Sequence, residues 1–150
     1  MQATTHHFET IEDARQFVFA GNAIVTLESL KTGTHFTFKV RQATDKETQE
    51  PKPGMFFVNL LTNGSADEGD FQYLGMVRDG QFSLTRASRA GVDAPSVKAF
   101  GFFMKLQELH PALVIRHEGR CGHCGRTLTV PESIDRGIGP DCWAKLGMDN

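Results

Sequence analysis

All three cysteines of the chain lie in one stretch, "RCGHCGRTLTVPESIDRGIGPDCW", which also carries its only tryptophan. Cys121 and Cys124 have C-x2-C spacing, the tight knuckle that lets two thiolates grip one metal ion, and Cys142 follows after "RGIGP". An odd number of cysteines bunched at one end argues against a disulfide framework and for metal in a reducing compartment. Pro140 suits the first turn of a helix, so Cys142 is expected at the positive end of its dipole, which favours the thiolate. Knuckle, hairpin and a ligand at a helix start form a treble-clef-like layout.

Three thiols leave a tetrahedral site one donor short. One turn beyond Cys142 stands Lys145, and a protonated ammonium cannot serve. His117, four residues before Cys121, is the first candidate. His123 is the rival, although its place between the knuckle cysteines should point its side chain outward. Asp141, His110 and water are the remaining options. Three thiolates and an imidazole close the tetrahedron and leave no position for a reacting water, which makes the expected role structural. A three-cysteine deaminase centre needs an H-x-E signature and a P-C-x-x-C helix. Here Glu118 stands directly beside His117 and no proline precedes Cys121. No nucleophile elbow, P-loop, dinucleotide fingerprint or H-E-x-x-H is found either. The expectation is a protein without catalysis, holding one structural Zn2+ per chain, with no evident small-molecule substrate.

The segment "HEGRCGHCGRTLTVPESIDRGIGPDC" resembles a small C-terminal zinc-finger domain of uncharacterised phage, plasmid and mobile-element proteins. That pattern runs H-x3-C-x2-CGRxLTxPES-x3-GxGPxC. The resemblance implies a zinc site and a mobile-element setting, and it sets His117 at the position of the family's histidine.

Upstream, "TIEDARQFVFAG" reads as a short helix capped by Thr10 and stopped at Gly21. "AIVTLES" and "THFTFKV" read as a hairpin whose second arm puts Phe36, Phe38 and Val40 on one face. "QATDKETQEPKPG" reads as a polar loop, and "MFFVNLLT", "FQYLGMV" and "QFSLT" as further strands. Pro95 opens a helix over 95–109 whose Val97, Phe100, Phe103, Met104 and Leu106 should cover the sheet. "ALVIRH" is a short strand leading into the cysteines. The fold class is therefore α+β: an antiparallel meander of about five strands covered by a helix, then the finger. The division is a sheet domain over 1–112 and a finger module over 113–150.

A formal charge of −2 gives no global attraction to nucleic acid or to an anionic membrane, so any basic surface must be local. Arg78, Arg86, Arg89, Lys98 and Arg126 are the cations best suited to phosphates, and Arg86 and Arg89 flank a loop too polar for a core. Phe36, Phe38, Phe56, Phe57 and Tyr73 could instead stack bases, but alternation alone buries one face of such strands. The N-terminus lacks a signal peptide's apolar core and no run approaches a bilayer span, which leads to the expectation of a bacterial host's cytoplasm. Two functions follow. One is a mobile-element accessory protein binding DNA or RNA. The alternative is a protein-binding module that modulates a host defence or replication complex, and a zinc-dependent enzyme comes third.

Overall fold

The computed structural model describes residues 6–8, 10–64, 69–117, 120–125, 128 and 137–145. Its strands are β1 (His6–His7), β2 (Asn22–Ser29), β3 (His35–Thr44), β4 (Pro51–Asn63), β5 (Asp70–Arg78), β6 (Gln81–Ser83) and β7 (Leu113–His117). The helices are α1 (Ile11–Val18), α2 (Pro95–Lys105) and α3 (Pro140–Lys145). One antiparallel sheet runs β1-β7-β2-β3-β4-β5-β6. The expected five-stranded meander is β2 to β6, and β7 and β1 extend it beyond β2.

Side-chain alternation along these strands sorts the residues between an inner and an outer face. Val25, Leu27, Phe38, Val40, Phe56 and Val58 point inward and are buried. Both helices close over them. Phe17 and Val18 come from α1, and Val97, Phe100 and Phe103 from α2. The Phe100 ring lies 5.1 Å from Phe38, 4.9 Å from Phe82 and 5.8 Å from Phe103, centre to centre. Burying each such ring stabilises the fold by about 2 kcal/mol.

Four boundaries differ from the expected ones. The α1 start holds, with the Asp13 N–H donating to Thr10 Oγ1 at 3.1 Å, but the helix ends at Val18 rather than running to Gly21. α2 stops at Lys105, short of residue 109, because Leu106 turns extended at φ −69° and ψ 135°. The Arg15 guanidinium from α1 donates there to the carbonyls of Met104 and Leu106. That satisfies acceptors the helix leaves open and ties the two helices together. The polar 42–54 segment is mostly strand. β3 continues to Thr44, and β4 starts at Pro51 after a turn in which Asp45 Oδ1 accepts from Glu47 and Thr48 N–H.

The fourth difference bears on the site. β7, assigned by sequence to the finger module, is a member of the sheet between β1 and β2. Thr26 faces Arg116 and Leu27 faces Ile115 across that pairing. The last sheet residue, His117, stands four positions before Cys121 in the sequence.

Candidate functional site

The knuckle docks on the corner where α1 leads into β2. Asn22 N–H donates to the Gly122 carbonyl at 2.8 Å, and Gly122 N–H donates to the Gly137 carbonyl at 2.8 Å. Gly122 and Gly137 meet Phe17 so closely that a Cβ on either would lie 2.7 Å or 2.5 Å from its ring. Gly137 also has φ +76°, which glycine alone adopts without strain. These contacts bring the three cysteines together. Their sulfurs all lie within 4.8 Å of one another, with Cys121 and Cys142 buried and Cys124 exposed.

Zinc–sulfur bonds of 2.3 Å at tetrahedral angles set sulfurs about 3.8 Å apart, so the cluster fits a metal ion. The backbone supports one of the sulfurs. Gly139 N–H donates to Cys121 Sγ at 3.3 Å and His123 N–H at 3.4 Å. Burial works to raise the Cys121 thiol, but N–H groups of Gly139, Cys124 and His123 bring it below its ordinary value. Cys142 does lie in the first turn of α3, as expected, yet its thiol is pushed up to about 12. Burial is the main cause, followed by the neighbouring sulfurs of Cys124 and Cys121. Three thiolates cannot share this space without a cation. Those two effects outweigh the helix dipole on which the sequence expectation relied.

No further histidine or carboxylate among the described residues joins the three sulfurs. His117 is 1% exposed, and its ring lies 5.1 Å from Phe8 and 5.2 Å from Phe17, centre to centre. His123 does not point outward. Its Nδ1–H donates to the Ala20 carbonyl at 2.5 Å, which locks the knuckle to the end of α1. Asp141 is exposed on α3, and the His110 ring packs against Phe102.

The outer sheet face carries the second feature. Lys39 and Arg41 of β3 face Asn59 and Phe57 of β4, which in turn face Tyr73 and Met76 of β5. Bulges after Val58 and Leu61 keep these outward positions aligned. Phe57 is 40% exposed and its ring lies 6.2 Å from that of Tyr73. Lys39 Nζ sits 5.4 Å from the centre of the Phe71 ring, a cation–π distance. Arg41, Phe57, Tyr73 and Ala87 line one hollow, and Lys39, Arg120, Cys121 and Cys124 line the next. The cationic, aromatic strip thus reaches Cys121 and Cys124.

The nucleic-acid candidates divide accordingly. Arg86 and Arg89 are exposed on the loop whose Ala87 borders the outer hollow, and Tyr73 Oη and Thr85 Oγ1 are 3.1 Å apart beneath it. Arg78 follows Met76 on the outer side of β5. Lys98 lies on α2, across the sheet, and Arg126 is outside the described residues. Of the aromatic candidates, Phe38 and Phe56 are core and Phe36 packs against it, while Phe57 and Tyr73 face out. Lys39, Arg41 and Phe71 were not among the sequence candidates, although the alternation of "HFTFKVR" already put the two cations on the strand's polar side.

A family of unknown function, DUF6011, matches residues 111–147. That span contains β7, the three cysteines and α3. No curated protein and no solved structure matches the chain. Among the described residues no helix is long and apolar enough to cross a membrane.

Proposed function

We propose that this chain binds single-stranded nucleic acid on the outer face of its sheet and uses zinc to hold the adjoining knuckle in place. The carrying observation is the register of Lys39 and Arg41 with Phe57 and Tyr73 on the sheet face that neither α1 nor α2 covers. Bases of any sequence stack on aromatic rings, and the cations between them neutralise phosphates. Arg78, Arg86 and Arg89 extend the same field at its rim. The likeness of 117–142 to phage and plasmid proteins supports an accessory role in a mobile element.

In this reading Cys121, Cys124 and Cys142 bind zinc as thiolates, and the ion's charge offsets the burial and the neighbouring sulfurs that push the Cys142 thiol up. His117 supplies the fourth donor by leaving its contacts with Phe8 and Phe17. Cobalt-substituted protein tests that assignment, because the visible ligand-field bands of a three-sulfur, one-nitrogen site should change in His117→Gln. Identical spectra remove His117 from the site.

The binding test is fluorescence anisotropy with a labelled oligo-dT across a salt series. Wild type should bind with affinity falling steeply as salt rises. Lys39→Glu with Arg41→Glu should abolish the salt slope, and Phe57→Ala should weaken binding at every salt concentration. A wild type with no salt-dependent affinity overturns the reading and favours a host protein complex as the partner.

A further inference from the structure

A separate cavity of about 520 Å3 lies on the other side of the sheet, between α2 and the ends of β2, β3 and β7. Its volume is in the range that holds a small organic ligand. The floor is apolar, made by Leu27, Phe36, Ala99 and Leu113. Phe102, 44% exposed, forms one wall, its ring edge-on to His110 at 5.3 Å. An aromatic ring left that open beside an empty apolar floor gives up burial that an apolar ligand would restore.

The mouth is cationic. Lys31 and Lys98 line it, and no aspartate or glutamate does, although the chain has 18 acidic residues against 16 basic ones. Lys98 stands in the first turn of α2, the positive end of an eleven-residue helix that has no acidic side chain there and no side-chain cap. A cation at that end opposes the helix dipole, and a bound anion relieves both. The His110 ring adds a donor. Its Nδ1 accepts from Ala112 N–H at 3.0 Å, so a neutral ring carries its proton on Nε2.

The geometry points to a binding site for a small amphiphilic carboxylate, with its apolar tail on Leu27, Phe36 and Leu113 and its carboxylate between Lys31 and Lys98. This site is independent of the nucleic-acid reading, since it uses the inner side of the sheet and none of the outer-face residues. It also supplies what the sequence did not: a place for a small molecule without any motif.

The experiment is a two-dimensional amide NMR titration of the full chain with octanoate, octanol and octyltrimethylammonium. Octanoate should give saturable shifts confined to the 27–36 and 95–113 segments, with octanol weaker and the ammonium without effect. Lys31→Glu with Lys98→Glu, both exposed, should weaken octanoate about tenfold, as two part-solvated charge pairs would. Ala99→Phe fills the floor and should abolish binding. If that variant fails to fold, the charge-reversed protein alone carries the test. Octanol binding as tightly as octanoate, or octanoate shifts that are unsaturable or scattered over the chain, overturns the proposal.

Discussion

The sheet core and the cysteine corner hold themselves together by different means. Among the described residues, eighteen buried ones from α1, α2, five strands and Phe8 make up the core, with ring against ring around Phe100. The corner buries Ala20, Cys121, Leu128, Ile138 and Cys142, with Trp143 alongside. Among the described residues this cluster includes two thiols and buries far less apolar surface than the core does. The core is held by area; in the proposed reading the corner is held by a metal on its three thiols. On that reading one short chain carries a robust platform and a metal-dependent edge.

Phe100→Ala should break the platform. Deleting a ring that is fully buried against three others costs about 4 kcal/mol, read as a lower midpoint in denaturant with the sheet and corner lost together. Cys124→Ser should do the reverse. Elemental analysis should find metal lost and circular dichroism should find the sheet intact, because metal binding and folding are coupled only at the corner. A sheet that unfolds with it shows the two regions to be one unit.

Gly137→Ala tests the seam between them. The added methyl meets Phe17 and forces a left-handed backbone on alanine, a combined cost of about 2 kcal/mol. The change should raise the rate at which a chelator strips the metal, while leaving the core's unfolding midpoint less affected than Phe100→Ala does.

The smallest effect is on pH dependence. Metal-loaded protein should weaken in acid, where protons compete for the sulfurs. Chelated protein, whose corner no longer folds around an ion, should lack that extra loss. Denaturation curves at stepped pH, with and without chelator, check this. A loss in acid of the same size with and without chelator contradicts the role given to the three sulfurs.

The platform was largely legible in the sequence because its signals are local. Alternation in "THFTFKV" put Phe38 and Val40 in the core, Thr10 capped α1, and Pro95 opened α2. What was not legible depends on distant partners. Nothing near "ALVIRH" says that it slots between β1 and β2. Arg15 ends α2 from 89 or more residues away, which no capping rule at 105–109 could reveal. At the site, C-x2-C spacing identified the cysteines, and the structure gathers them. Four residues of spacing put His117 within reach of the knuckle, while the Phe8 and Phe17 rings, brought from elsewhere in the fold, hold it in the core.

Hydrogen–deuterium exchange on freshly purified protein, before and after chelation and with metal counted in the same sample, tests the division most directly. The account predicts one metal per chain and, on chelation, lost protection at 121–125 and 137–145. Amides of 22–29, 36–42 and 56–60 should keep theirs. Protection at the cysteine segment that is unchanged by chelation, or no stoichiometric metal at the outset, would contradict it.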